Sequence, residues 1–212
     1  YFSSDQCIDL PPNGGYFFSA RSGGRIQNFD NDYMLLSTGE YGERNLAQRK
    51  DNINGKVIKI NAHNSNYEIV SMGHRNPQGL YFDKENDLIL LTEHGPFGGD
   101  EINLIEINKI DYDEPFNYGW AISSYGEHYF KKTKKNEEMF KKYPLYKSHT
   151  DHGFIEPLRH FSPSIAPSEI RKIGKNKYVA LGMKAKSIFF FELNDKREII
   201  NFRKVEVFER IR

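Results

Sequence analysis

The sequence predicts an all-β fold, and three observations support this class. Short runs rich in β-branched and aromatic residues recur along the chain, each bounded by Gly, Pro, Asn or Asp. Helical segments do not alternate with these runs, which disfavours a parallel α/β sheet. The 212 residues, of which 38% are hydrophobic and 14% aromatic, are ample for a packed core.

The composition also indicates which kinds of binding partner are disfavoured. The formal net charge of +1 does not favour a nucleic-acid surface or a polybasic membrane contact. No apolar stretch approaches the roughly 20 residues that a membrane-spanning helix needs. The single cysteine, Cys7, excludes an internal disulfide framework, and we assign it no role.

The elements follow in chain order from these patterns. After a Pro/Gly-rich loop comes an aromatic run at 16–18, then alternating residues up to Asp30 and a hairpin turn at 28–32. The predicted strands cover residues 33–37, 55–60, 67–72, 79–83, 87–92, 177–182, 187–193 and 199–208. Residues 121–156 lack alternation and are interpreted as an insertion loop, with about two turns of helix at 135–143.

The most informative stretch is 73–120, because glycines and polar side chains crowd together there. A Gly/Pro-rich loop, Gly95 to Gly99, cannot form helix or regular strand and can bring main-chain oxygens close to a ligand. The polar residues around it are His74, Arg75, Asn76, Gln78, Glu93, His94, Asp100 and Glu101. A structural turn that carries these residues and binds nothing is the alternative.

The motifs in this stretch are G-H-R-N-P-Q-G-L at 73–80, E-H-G-P at 93–96, D-E-I-N at 100–103 and N-Y-G-W at 117–120. In this order they resemble the soluble quinoprotein glucose or aldose sugar dehydrogenases, the glucose/sorbosone dehydrogenase family. P-S-I-A-P-S at 163–168 and E-R-I-R at 209–212 extend the resemblance. It implies a six-bladed β-propeller, of which 212 residues would hold about four blades. We therefore interpret the chain as a single-domain part of a longer protein, and the family implies a periplasmic or secreted location.

The resemblance also implies a cofactor, pyrroloquinoline quinone (PQQ), with calcium. By motif matching, Arg75 and Asn76 would contact the quinone oxygens, and Ser164 a cofactor carboxylate. The remaining cofactor-binding cations would be Lys184, Arg210 and Arg212, since guanidinium groups suit planar carboxylates. The carbonyl oxygens of Gly95 and Pro96 would bind the calcium ion. Asp100 is expected to support the loop or the sugar pocket.

One position departs from the family pattern. The family has a His as general base in H-x-(S/G)-G-R, and Arg21 holds that place here. A guanidinium group stays protonated and has no lone pair to accept a proton, so Arg21 cannot be the base. Glu40, at the place of the family Asp beside the base, or His94 could take over, with Arg75 as the third catalytic candidate. Ser162 replaces a Trp that usually precedes the P-(S/T) pair, which thins the wall of the sugar pocket.

Two functional hypotheses result. The first is a dehydrogenase that oxidises an aldose sugar at C1 to the lactone and passes electrons to an external acceptor. The second is a non-catalytic propeller that binds a saccharide or a protein partner. Arg21 favours the second hypothesis, whereas the cations and the Gly95–Pro96 loop favour the first.

Overall fold

A computed structural model describes residues 20–212 of the chain, so Cys7 and the predicted aromatic run at 16–18 lie outside the described residues. Its strands are β1 Gly23–Asn28, β2 Tyr33–Thr38, β3 Lys56–Asn61, β4 Tyr67–Met72, β5 Pro77–Asp83, β6 Leu88–Glu93, β7 Asp100–Glu106, β8 Phe116–Asn117, β9 Arg159–Phe161, β10 Pro167–Gly174, β11 Lys177–Gly182, β12 Ser187–Leu193 and β13 Ile199–Glu206. One α-helix, α1, spans Glu137–Lys142. Short 3-10 helices lie at Arg44–Gln48, Ile107–Lys109 and Thr150–His152.

The strands form three successive sheets, which are blades of a β-propeller. The first contains β1-β2-β3-β4 with β8 added in parallel to β4, the second β5-β6-β7-β9, and the third β10-β11-β12-β13. All the other pairs are antiparallel, and all of these except β7–β9 join strands that are consecutive in the chain. The all-β prediction is confirmed.

The predicted strand bounds hold closely where the apolar pattern is clear, and β4, β11 and β12 have the predicted limits. Four strands were not predicted: β7, β8, β9 and β10. The sequences of β7 and β10 mix buried carboxylates, serine and cations with the apolar residues, and β8 and β9 have only two and three residues. Residues 20–212 form three sheets, whereas the length of the chain predicts about four blades. The difference arises because residues 121–158 contain no strand long enough to build a blade.

The first strands of the three sheets, β1, β5 and β10, lie side by side. Two arginines join them through main-chain oxygens. Arg25 on β1 donates from Nε to the Gln78 carbonyl on β5 (2.9 Å) and from Nη2 to the Ser168 carbonyl on β10 (2.9 Å). Arg171 on β10 donates to the Leu80 carbonyl on β5 (3.1 Å) and to the Gln27 side chain on β1 (3.4 Å).

The core lies between neighbouring sheets, with β6 at its centre. Leu88 and Leu90 pack towards the third sheet, whereas Ile89 and Leu91 pack towards the first. Alternate residues of a strand point to opposite faces, so a strand covered on both faces is apolar throughout. This position explains the continuous Leu-Ile-Leu-Leu sequence of β6.

Residues 121–158 hold α1, one 3-10 helix and two isolated bridges, Phe97↔Glu127 and Ser123↔Tyr146. Within the predicted helix at 135–143, α1 covers the central six residues. Two apolar residues of α1 make contacts, Met139 with Arg44 and Phe140 with the His128 ring. Among the described residues, no helix has the length and apolar character needed to cross a membrane.

Candidate functional site

Four of the predicted site residues come together where the loops of the first two sheets meet. The backbone of Glu40, after β2, donates to the Arg75 carbonyl before β5 (3.0 Å). The backbone of His94, after β6, donates to the Asn76 carbonyl (3.1 Å). These main-chain bonds fix the positions of the four residues relative to one another.

Arg21 and Glu40 form an ion pair at this corner. Arg21 Nη1 lies 2.6 Å from Glu40 Oε1, and Trp120 Nε1 donates to the other carboxylate oxygen (3.1 Å). The Glu40 carboxylate is fully buried, whereas 20% of the Arg21 side chain is exposed. The contact agrees with the predicted register, in which position 21 faces position 40. Arg21 and Trp120 together engage both oxygens of Glu40.

Arg75 is buried beside this pair. Its backbone nitrogen donates to Glu93 Oε2 (2.8 Å), and its Nη1 donates to the His94 carbonyl (3.1 Å). Nη2 donates to the Tyr129 hydroxyl (3.3 Å), and the guanidinium carbon lies 5.3 Å from the centre of the Trp120 ring. Nε is buried and has no hydrogen-bond acceptor among the described residues. One donor of Arg75 is therefore available to a ligand.

His94 is held in one tautomer. Its Nε2 lies 2.7 Å from the Pro167 carbonyl, which can only accept, so Nε2 carries the hydrogen. Burial lowers the pKa of His94, and the nearby Arg75 charge acts in the same direction. The ring is therefore neutral at pH 7, and its lone pair lies on Nδ1.

The Asp100 carboxylate joins two of the predicted loops, and we call this arrangement the Asp100 junction. Oδ1 accepts from the backbone nitrogen of Gly95 (3.0 Å). Oδ2 accepts from Ser164 Oγ (2.6 Å) and from the backbone nitrogens of Ile165 (2.7 Å) and Ala166 (2.8 Å). Asp100 thus supports the loop, as predicted. Its two oxygens hold the Gly95–Pro96 loop against the Ser164 segment.

The Gly95–Pro96 loop has the shape that the sequence predicts, without helix or regular strand. A Cβ at Gly95 would lie 2.1 Å from the Gly99 carbonyl oxygen, so only glycine fits there. The carbonyl oxygens of Gly95 and Pro96 accept no hydrogen bond from residues 20–212. Both oxygens are therefore available to a cation.

A pocket of about 460 Å³ opens beside this loop. Its lining combines the Gly95–Pro96 loop, the 121–156 segment, the Ser164 segment and one cation: Pro96, Phe97, Gly98, Glu127, Tyr129, Ser162, Pro163, Ser164 and Lys184. The ammonium group of Lys184 forms no hydrogen bond or ion pair within the described part of the chain. Two of the predicted cofactor-binding residues, Ser164 and Lys184, thus share one pocket.

The other predicted cofactor-binding residues do not line this pocket. Asn76 Oδ1 accepts from the Gly23 backbone nitrogen (3.2 Å) and from Gln78 Nε2 (3.0 Å). Arg210 and Arg212 are exposed and do not line this pocket. Between them, the Ile211 carbonyl accepts from Ser168 Oγ (3.1 Å), which anchors the segment next to β10.

A buried polar chain lies beneath the site. Ser71 Oγ and Glu93 Oε1 each lie 2.8 Å from a ring nitrogen of His74, and Asn103 donates to both Glu93 and Glu101. Burial works against the Glu93 charge, but the His74 imidazole and the donors around Glu93 keep its pKa below the usual value. Burial and the Glu93 carboxylate raise the pKa of Glu101 well above its usual value. Glu101 is therefore the proton-bearing carboxyl of the two.

His149, from the 121–156 segment, reaches the end of this chain. Its Nε2 lies 3.6 Å from Glu101 Oε1, and neither ring nitrogen has a hydrogen-bond partner among the described residues. Burial lowers the pKa of His149. Within residues 20–212, no group of three His, Cys, Asp or Glu side chains is arranged to hold a metal ion.

A model of the family described as glucose/sorbosone dehydrogenase matches residues 16–212 of the chain. The chain belongs to this family. The match covers all the motifs on which the predicted resemblance rests.

Individual members of the glucose/sorbosone dehydrogenase family are also similar to the chain. The aldose sugar dehydrogenase YliI of Escherichia coli (strain K12) is 29% identical over 191 residues, which cover 84% of this chain and 46% of that protein. Quinoprotein glucose dehydrogenase B of Acinetobacter calcoaceticus is 41% identical over 71 residues, 32% of this chain and 13% of that protein. The chain spans about half the length of the first curated relatives it matches.

Solved structures of the family share the fold. The apo-form of the soluble aldose sugar dehydrogenase from Escherichia coli superposes with a TM-score of 0.63 at 26% identity, covering 84% of this chain and 52% of that one. The PQQ-bound aldose sugar dehydrogenase from Streptomyces coelicolor gives a TM-score of 0.64 at 21% identity, over 90% and 51% of the two chains. These matches support the β-propeller prediction.

The sequence analysis of this chain did not predict three residues of the site. Trp120, at the end of the N-Y-G-W motif, packs between Glu40 and Arg75, and the motif itself was the signal. Tyr129 contacts Arg75 from the 121–156 segment, where no sequence pattern indicates a site. Arg44 lies 5.6 Å from the Trp120 ring and comes from an unpredicted 3-10 helix.

Proposed function

We propose that the chain is part of a PQQ-dependent aldose sugar dehydrogenase that oxidises the sugar at C1 to the lactone and passes electrons to an external acceptor. The observation that carries this proposal is the Asp100 junction. It holds the Gly95–Pro96 loop against the segment with Ser164, and Pro96, Ser164 and Lys184 line one pocket. Export to the periplasm or the outside of the cell belongs to the same proposal.

The donors of the site fit an anionic quinone. Arg75 has a buried Nε without an acceptor, and Lys184 has an ammonium group that faces the pocket without a carboxylate partner among the described residues. A bound carboxylate or quinone oxygen would satisfy either group. Asn76, Arg210 and Arg212 complete the proposed set from the family pattern. When bound, PQQ supplies the acceptor for the two electrons that the sugar loses.

The carbonyl oxygens of Gly95 and Pro96 would hold the calcium ion. Calcium prefers oxygen ligands and accepts main-chain carbonyls. Because the described residues offer no cluster of acidic side chains here, the remaining ligands would come from the cofactor and from water.

His94 is a better candidate than Glu40 for taking the hydroxyl proton from the sugar. Both oxygens of Glu40 are engaged, one by Arg21 and one by Trp120. His94 is neutral because burial lowers its pKa, and its Nδ1 carries a lone pair. We therefore assign proton acceptance to His94 Nδ1 and cofactor positioning to Arg75.

The non-catalytic propeller is the second candidate function, and the ion pair at the base position favours it. A guanidinium group that is held by a buried carboxylate 2.6 Å away cannot accept a proton. The same pocket could then bind a saccharide without oxidising it.

The test is a titration of the protein, produced to its natural termini, with PQQ in the presence and absence of calcium. Saturable, calcium-dependent binding is expected, followed by dye reduction when an aldose is added. Binding without dye reduction would support the non-catalytic candidate. No binding by the folded protein would refute the dehydrogenase proposal.

A further inference from the structure

The pocket beside the Gly95–Pro96 loop has one wall that the proposed function leaves unused. Phe97 and Tyr129 form this wall, and we call them the aromatic wall. Phe97 is 66% exposed and Tyr129 is 51% exposed. Large aromatic rings left in water next to a concave pocket are typical of a binding surface.

The aromatic wall is held in place although its rings are exposed. Phe97 and Glu127 exchange two main-chain hydrogen bonds of 3.0 and 2.8 Å, which pair the 121–156 segment with the Gly95–Gly99 loop. Lys147 lies 3.2 Å from the Glu127 carboxylate and also donates to the Gly126 carbonyl. The Tyr129 hydroxyl accepts from Arg75. Both rings therefore project from a fixed backbone, so a ligand would not need to order them first.

The other parts of the pocket are small or polar. Ser162 and Gly98 lie close together: a Cβ added at Gly98 would be 2.9 Å from Ser162 Oγ. Neither residue has an aromatic ring. Lys184, Glu127 and Ser164 add a cation, a carboxylate and a hydroxyl to the lining. The pocket thus combines two aromatic rings with charged and polar groups.

We propose that the aromatic wall positions the sugar substrate by stacking against the C–H face of an aldopyranose ring. A pyranose has an apolar face and a rim of hydroxyl groups, which matches two rings surrounded by hydrogen-bonding side chains. A fully apolar ligand would bury the Lys184 ammonium group, which has no partner within residues 20–212, at a cost in free energy. Phe97 and Tyr129 are positioning residues for the substrate, and this inference rests on the proposed function.

The experiment measures D-glucose binding directly, by saturation-transfer NMR on the protein produced to its natural termini. The aromatic protons are saturated, with and without bound PQQ and calcium. Glucose ring protons on one face are expected to receive the transfer. We expect Phe97→Leu and Tyr129→Leu each to raise the dissociation constant about three- to tenfold, because an aromatic stacking contact is lost.

Two further variants separate stacking from other effects. Tyr129→Phe keeps the ring but removes the hydroxyl that contacts Arg75, and it should bind glucose nearly as well as the parent. Tyr146→Leu is the matched control, since Tyr146 is 44% exposed in the same segment but stacks on His152 outside the pocket. Circular dichroism confirms that each variant is folded.

The outcomes distinguish this inference from the proposed function. Unchanged glucose binding in both leucine variants, or no glucose binding by the folded parent, would overturn the role of the aromatic wall. Weakened binding in both variants supports it, even where PQQ does not bind and the dehydrogenase proposal fails. A KM increase with an unchanged kcat in the loaded enzyme would support both.

Discussion

The site contains two buried carboxylates, Asp100 and Glu40, and their partners differ in kind. Asp100 accepts hydrogen bonds from three backbone nitrogens and one serine hydroxyl. Glu40 is held by two side chains, Arg21 and Trp120. Backbone donors survive most substitutions, whereas a side-chain partner is lost by changing one residue. Arg21, the position that departs from the family pattern, is one of the two side chains that hold Glu40.

Breaking the Asp100 junction should have the largest effect. Asp100→Ala leaves three buried backbone donors without an acceptor, and we expect the free energy of unfolding to fall by roughly 3–5 kcal/mol. Urea unfolding measures this loss, and calcium-dependent PQQ binding should disappear with it. The control is Asp195→Ala, at an exposed position. A folded variant with unchanged stability would show that the junction does not hold the two loops.

Changing position 21 tests whether His94 is the base. In Arg21→His, an imidazole replaces the guanidinium beside Glu40. Because His94 already accepts the proton, we expect dehydrogenase turnover with bound PQQ to change less than about tenfold, and a rise of about 100-fold or more would overturn the assignment to His94. Turnover is followed by dye reduction, with exposed Arg49→His as control. If Arg21→Ala instead abolished an activity that the parent possesses, position 21 would have a catalytic part after all.

Glu101 is a third buried carboxyl group, and fewer hydrogen-bond donors surround it than surround Asp100. Its neighbours are Asn103, the Glu93, Asp100 and Glu156 carboxylates, and His149. Since its pKa is raised in the folded state, the folded protein keeps a proton that the unfolded chain releases above about pH 4.5. Stability from this group is therefore present at low pH and is lost as the pH rises.

Glu101→Gln removes that pH dependence. Relative to the parent, we expect its free energy of unfolding to increase as the pH rises from 5 to 8. Glu106→Gln, on the same strand but partly exposed and paired with Lys109, is the control. Parallel pH profiles for the parent and Glu101→Gln would contradict the raised pKa.

The mildest change removes one donor from the Asp100 junction. Ser164→Ala leaves three backbone donors on the carboxylate, so the loss should be about 1 kcal/mol. Thermal or urea unfolding measures it beside Asp100→Ala. A loss as large as that of Asp100→Ala would mean that the hydroxyl, and not the backbone, dominates the junction.

The sequence predicts those parts of the molecule that depend on local pattern. Strands such as β4 and β12 have clear apolar patterns, and the loop at Gly95 follows from its glycines. It does not predict β7, whose buried Asp100 and Glu101 have the polarity of a loop but lie in a sheet. β8 and β9, of two and three residues, are too short to give a pattern.

For the site as well, the sequence predicts local groupings of residues but not contacts between distant ones. The motifs place Arg75, Asn76, His94 and Gly95 in order, because they lie close in sequence. The contact between Arg75 and Tyr129 joins residues 54 positions apart, and that between Glu40 and Trp120 joins residues 80 apart. Such pairs are set by how the sheets pack, and a single sequence carries no signal for them.

Arg25 and Arg171 have a consequence for how the molecule comes apart. Proteins built from successive similar units can lose them one at a time, because each unit contacts only its neighbours. Here one guanidinium of β1 reaches both β5 and β10, and one of β10 reaches back to β5 and β1. Detaching any one sheet would leave a donor or an acceptor on each of the other two sheets without its partner. The three sheets should therefore melt in a single cooperative transition, and hydrogen exchange of their inner strands should report one common opening event.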